Sequence, residues 1–219
     1  MPTTPKRPAL SASMSERVVN NRNTGRLRRI TYDRETILAV AVELFNEHGY
    51  EATSIDALSR RLNLTKSALY HHYSGKEELL KIAIERALDG LEGVFAEEGA
   101  RVGSARDRLE YVMHSAVQRL VRDMPFVTLL LRLRGNTELE RRALQRRKAL
   151  DNHLAELVQA AKDEGSLRED IDARTTARIL FGILNSLVEW YRPSGILSAE
   201  QLADQVVAVA FKGIGAPES

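Results

Sequence analysis

Cysteine is absent from the 219 residues, which excludes disulfides, thiolate zinc sites and a cysteine nucleophile. No apolar run approaches the roughly 18 residues a membrane-crossing helix needs, and the first thirty residues carry no apolar signal-peptide stretch. A soluble, cytoplasmic protein is therefore expected. Motifs of catalysis are missing as well: there is no Gly-rich phosphate loop, no HExxH, no GxSxG elbow and no ExxH pair of the di-iron bundle kind. An enzyme is not expected, nor is a resident cofactor or metal.

Excess charge is also small, with a net of +2, but its distribution is uneven. Residues 1–76 hold 12 Lys and Arg against 7 Asp and Glu, while the remainder holds 20 against 23. A basic start followed by a mildly acidic body suits a nucleic-acid contact at one end and a different task at the other.

What is present is helical patterning. Residues 1–32, rich in Ser, Thr, Pro, Asn and Arg, show no periodicity and read as a disordered basic arm. From Asp33, a helix-capping residue by type, apolar Ile37, Leu38, Ala41, Leu44 and Phe45 recur at helical spacing up to Gly49. Thr53 with Asp56 reads as a capping box opening a short helix whose face is Ile55, Leu58 and Leu62. A three-residue turn, Asn63 to Thr65, precedes a second short helix through Tyr73, and Asn63 is the residue that tolerates the left-handed conformation such a turn needs. Ser74 with Glu77 opens a fourth helix to about Leu91, before a break around Gly90 to Gly103. Further helices are expected over about 104–122, 125–134, 137–164, 172–191 and 198–212. Ser104 with Asp107, Thr137 with Glu140 and Ser198 with Gln201 are their caps, and Gly135, Gly165, Pro193 and Gly213 their stops. No strand run and no repeat interrupts this all-α pattern.

Two short helices across a tight turn, behind a supporting helix, make a helix-turn-helix reader whose second helix enters the major groove. Thr65, Lys66, Ser67, Tyr70, His71 and His72 supply a polar face, and Leu64, Leu69 and Tyr73 an anchor. The stretch Ile37 to Leu80, ILAVAVELFNEHGYEATSIDALSRRLNLTKSALYHHYSGKEELL, resembles the DNA-binding domain of the TetR family of transcriptional regulators. The features that carry the likeness are FNEHGY at the end of the first helix, Thr53 and Ser54, the stretch Thr65 to Tyr73, and Lys76 with Glu77. Asn63 departs from the family's usual Gly. The resemblance implies phosphate contacts from Thr53, Tyr70 and Lys76, where helix N-termini favour anions in any case, and base-edge contacts from Lys66, Ser67 and His71 beside Thr65. Lys66 meets either a guanine edge or phosphate. Arg28 and Arg29 in the arm either enter a minor groove or belong to a solubilising tail.

The resemblance further implies a TetR-like fold. Its parts are a disordered basic arm (1–32), a helix-turn-helix domain (33–80) with helix four (74–91) as a link, and a larger helical effector-binding and dimerisation domain (92–219). The last two helices are expected to pair with their copies as a four-helix bundle through Leu180, Ile183, Leu187 and Val188 and through Leu202, Val206, Val207 and Ala210, with Gly182 and Ala203 allowing close approach. The alternative is an internal core seam. An effector pocket among the middle helices draws on Tyr111, Met113, His114, Val117, Phe126, Thr128, Leu130, Leu133, Ile183, Asn185, Leu187 and Trp190, each of which could equally be plain core. The stretch Trp190 to Ser198 is similar to TetR-type repressors of fatty-acid, steroid or aromatic catabolism, several of which answer to CoA thioesters. Arg132, Arg134, Arg141, Arg142, Arg146 and Arg147 either serve such a ligand's phosphates or form a solvated face paired with Glu138 and Glu140. The expected protein is thus a homodimeric repressor, released from a palindromic operator by a small molecule. The rival readings are an activator or a helical protein-interaction module, and the latter would bind no duplex in a salt-dependent way.

Overall fold

A helix begins where a side chain satisfies its orphan N–H groups, and the computed structural model, which describes residues 33–213, shows such starts repeatedly. The arm, with Arg28 and Arg29, lies outside the described residues. All regular structure among the described residues is helical. Asp33 caps α1 (Arg34–His48) by accepting from the Thr36 N–H at 2.7 Å, and Gly49 ends it at φ 87°. Helix α1 buries Ile37, Leu38, Ala41, Val42, Leu44 and Phe45.

The cap of α2 (Ile55–Leu62) is Ser54, not Thr53. Ser54 accepts from the Ala57 N–H at 3.1 Å, whereas Thr53 turns inward, only 3% exposed, with its hydroxyl 2.8 Å from the Gly49 carbonyl. Burial of the threonine methyl behind α1 decides between two adjacent residues of equal capping ability. Asn63 ends α2 at φ 50°, ψ 41°, in the left-handed region. The Leu64 N–H reaches the Ser59 carbonyl at 2.9 Å, which reverses the chain within a few residues. Helix α3 (Lys66–Tyr70) is capped by Thr65 and stops three residues short of Tyr73.

The capping box expected of Ser74 and Glu77 does not form. The Ser74 N–H donates to Glu78 at 2.5 Å, and α4 (Lys76–Ala96) starts after Gly75. The helix also continues through Gly90 instead of breaking there. A side chain at Gly90 would meet the stem of Arg119 at 3.3 Å, so this glycine serves the close approach of α4 to α5. A 3-10 turn, Glu98–Ala100, leads to α5 (Ala105–Arg122), where the Ser104 and Asp107 box is complete. Helix α6 (Met124–Leu131) carries Pro125 in its first turn and stops three residues earlier than expected. Its exit turn is held by buried Glu140, whose carboxylate accepts from the N–H groups of Arg134, Gly135 and Asn136 at 3.1, 2.8 and 3.0 Å. Helices α7 (Glu138–Asp163), α8 (Ala173–Trp190) and α9 (Ala199–Lys212) are capped by Thr137, Asp172 and Ser198.

Helix α1 packs on α2, α4 and α6. Helix α4 packs on α5, α6 and α7, and α5 lies between α7 and α9, with α8 laid against α7. That arrangement corrects the expected dimer seam. Leu180, Leu187, Leu202, Ala203 and Val206 are buried within the subunit, against α5 and α7, so they belong to the internal core. The apolar side chains left in solvent on the last two helices are Ile179 (60% exposed), Trp190 (56%) and Val209 (49%). Gly182 is exposed with them, and Ile183, Val188, Val207 and Ala210 are half-buried beside them.

Candidate nucleic-acid interface and effector cavity

Helix α3 is seated by apolar side chains on one face only. Leu69 and Tyr73 are buried and Leu64 half-buried, and the Tyr73 hydroxyl donates to the Arg34 carbonyl at 2.6 Å while the Arg34 guanidinium lies 4.4 Å from its ring. The opposite face is open: Thr65, Lys66, Ser67 and His71 are exposed, as is Tyr70 at 54%, while His72 is half-buried. The Thr65 hydroxyl is occupied in capping, accepting from the Ala68 N–H at 3.1 Å.

Two basic residues do not stand free. Lys66 Nζ lies 2.6 Å from Asp56 on α2, and that hydrogen bond raises its pKa above the ordinary lysine value. Lys76 points back at the turn after α1, donating to the Tyr50 carbonyl at 3.1 Å with Nζ 4.3 Å from the Tyr50 ring. Thr53 is a correction: its buried, hydrogen-bonded hydroxyl is withdrawn from any phosphate, and the exposed hydroxyl at the start of α2 is that of Ser54. Sequence reasoning missed Asp56 as the partner of Lys66, because the two sit on different helices and only the packing of α3 against α2 brings them together.

Behind this reading head lies a small cavity, about 30 Å³, between α4, α5, α6, α7 and α8. Its walls are Leu91, Ala116, Leu120, Val127, Leu130, Leu131, Leu150, Phe181 and Leu184, and its polar lining is Arg147, Asp151 and Asn185. Of the residues expected there, Leu130 and Asn185 line it; the others require correction. Met113, Val117 and Leu187 are buried in the core away from it. Phe126 packs under the Arg86 guanidinium at 4.2 Å, and the Thr128 hydroxyl donates to the Met124 carbonyl at 2.8 Å. Tyr111 covers Gly99, where a Cβ would meet its ring at 2.4 Å, and its hydroxyl donates to Glu97 at 2.9 Å. His114 faces Asp204 and Glu200 of α9 at 3.3 and 3.6 Å. Leu133 and Ile183 are half-buried outside the lining, and Trp190 is in solvent at the end of α8. Periodicity marks apolar faces but not which neighbouring helix each one meets.

The arginines expected near an anionic ligand are mostly committed elsewhere. Arg141 and Arg142 pair with Glu138 at 3.0 Å each, and Arg146 pairs with Asp89 at 2.6 Å and Glu92 at 2.7 Å. Arg132 donates to the Asn46 carbonyl, and Arg134 is exposed. Arg147 alone of the six enters the cavity lining.

A three-helix reading head joined by one long helix to a larger helical body defines a class of DNA-binding regulators. A family model described as bacterial regulatory proteins, tetR family, matches residues 37–82, and one described as tetracyclin repressor-like, C-terminal domain, matches residues 102–214. The chain belongs to the TetR family of helix-turn-helix transcriptional regulators. It is similar to the HTH-type transcriptional repressor KstR2 of Rhodococcus jostii, 25% identical over 194 residues, 85% of this chain and 93% of that one. Among solved structures it resembles SCO3833, a TetR regulator family member from Streptomyces coelicolor, at 46% identity and TM-score 0.79, covering 85% of this chain and 93% of that one. It also resembles AibR in complex with isovaleryl coenzyme A and operator DNA, at 26% identity and TM-score 0.69, covering 81% and 97%. Among the described residues no helix is long and apolar enough to cross a membrane.

Proposed function

We propose that the protein is a cytoplasmic homodimeric repressor that leaves its operator when a small molecule occupies the cavity between α4 and α8. Residues 33–80 serve as the DNA-binding part and residues 92–219 as the effector-binding and dimerisation part, with α4 between them. The observation that carries the reading is the two-sided character of α3: Leu69 and Tyr73 hold one face while Lys66, Ser67, Tyr70 and His71 stand open on the other. In a dimer the two α3 helices occupy successive major grooves about 34 to 36 Å apart, so the operator is a palindrome. Ser54 and the free N–H groups opening α2 and α4 take phosphate, together with Tyr70 and Lys76, and Arg28 and Arg29 of the arm reach an adjacent groove. The second copy docks on the last two helices, where Ile179 and Trp190 of α8 and Val209 of α9 stand exposed.

Release follows from helix α6, which serves both sites. Val127, Leu130 and Leu131 line the cavity, while the Pro125 carbonyl accepts from Asn46 of α1 at 2.8 Å. The cavity, at about 30 Å³, has room for little more than a water molecule, far below the roughly 300 Å³ of an ordinary ligand site. An effector therefore has to widen the cavity, and where it does so by displacing α6 the α1 helix bonded to it follows with the reading head. The AibR neighbour, solved with isovaleryl coenzyme A and operator DNA, supports an acyl-CoA or related thioester as the effector class. Selecting duplexes from a random pool, then measuring binding against salt, tests the reading. A palindromic consensus and a steep loss of affinity with salt are expected, and salt-independent or absent duplex binding would overturn it. Linkage requires operator to weaken effector binding by the factor by which effector weakens operator binding.

A further inference from the structure

The polar lining of the cavity holds a cation and an anion that do not meet. Arg147 and Asp151 are one turn apart on α7, yet no ion pair joins them and neither has a hydrogen-bond partner among the described residues. The contrast with Arg146 is direct, since that neighbouring side chain is saturated by Asp89 and Glu92. Burial pushes the Arg147 pKa down and the Asp151 pKa up, each against the attraction of the other; exposed Arg178 on α8 also attracts Asp151 but lies outside the lining. Both side chains are half-buried, so solvent reaches them, and a molecule that enters the cavity and displaces that solvent must itself complete both charges.

We infer that the cavity selects a molecule with an apolar body and an uncharged head that both accepts and donates hydrogen bonds, an amide being the simplest case. Its acceptor takes the Arg147 guanidinium and its donor takes the Asp151 carboxylate, with Asn185 on α8 able to serve either end. A free carboxylate is disfavoured because the attraction of Arg147 is opposed by Asp151 one turn away, and it offers Asp151 no proton. An ester accepts but cannot donate. This inference rests on the cavity being the effector site, and the amide groups of a coenzyme A thioester arm belong to the same class as a simple amide.

Four probes with one acyl chain separate these cases by calorimetry on the full-length protein: hexanamide, methyl hexanoate, hexanoate, and S-hexanoyl-N-acetylcysteamine, which joins a thioester to an amide. Hexanamide or the cysteamine thioester should bind about tenfold tighter than hexanoate, with methyl hexanoate between them. Tighter binding of the cysteamine thioester than of hexanamide assigns the head to a thioester arm, and the reverse order assigns it to a simple amide. Asp151→Asn, nearly isosteric, should strengthen hexanoate binding and shrink that ratio, a gain that misfolding does not produce; Asp151→Ser should do the same. Arg147→Met should weaken all four. Equal or tighter binding of hexanoate to the unaltered protein, or a ratio untouched by both Asp151 variants, overturns the inference alone. If operator is bound but none of the four probes binds, the effector-site reading falls with it.

Discussion

Arg86 of α4 donates from Nε to Asp123 Oδ1 at 2.9 Å, tying the long linking helix to the buried corner between α5 and α6. The same guanidinium pairs with Glu35 of α1 and lies over the Phe126 ring. One side chain thus touches the supporting helix of the reading head, the linking helix and the helix that walls the cavity.

Removing that group should be felt in stability and in coupling. Arg86→Met leaves Asp123 buried without its α4 partner and should cost about 1 to 3 kcal/mol, a fall of roughly 2 to 12 °C in Tm for a chain of this size. Thermal melting of both proteins checks this, and an unchanged Tm would show the pair to be idle.

If Lys66 meets DNA as proposed, its ion pair with Asp56 competes with the duplex for the ammonium. Asp56→Asn should free the ammonium and tighten duplex binding, whereas Lys66→Ala should weaken it and lower the slope of log affinity against log salt by about 1. Fluorescence anisotropy across a salt series reads both. If Asp56→Asn binds less tightly, the aspartate is a contact rather than a competitor.

Asn63 bears the left-handed turn on which α3 depends. Asn63→Val should destabilise by about 1 to 2 kcal/mol, because a β-branched side chain resists positive φ, while Asn63→Gly should be neutral or slightly stabilising. Urea unfolding midpoints would order the three proteins as Gly, Asn, Val if the conformation governs the effect.

Acid should weaken the helix starts. Backbone N–H groups of Thr36 and Ser74 hold Asp33 and Glu78 below their ordinary pKa values of 3.8 and 4.5, and the hydrogen bonds from Thr175 do the same for Asp172. A carboxylate depressed on folding stabilises fully above its unfolded pKa, and that contribution is lost as pH falls through the folded value. Melting temperature should therefore be unaffected by these groups between pH 7 and about pH 5 and should decline below about pH 4. Asp33→Asn and Asp172→Asn should each flatten the decline, and a decline of unchanged steepness in both would assign it to other carboxylates.

Helix starts were legible because their cause is local. Asp33, Ser104, Thr137, Asp172 and Ser198 each bond an N–H three residues away, a relation written in adjacent sequence. The exceptions show where locality fails. Thr53 and Ser54 cap equally well by type, and only the packing of α2 against α1 turned one inward. Gly90 resembles a break in sequence yet sits inside α4, where a side chain would come within 3.3 Å of the stem of Arg119, a residue far along the chain.

From the residues alone, the all-helical character, the tight turn at Asn63 and the apolar anchor of α3 could be derived, since hydrogen-bond chemistry and spacing of three or four residues suffice for each. The tertiary structure decided which apolar faces close inside the subunit, and it placed Arg147 in a cavity while its neighbour Arg146 found two acids on α4. The physical reason is that burial and ion pairing depend on partners dozens of residues away, brought close only when the helices pack.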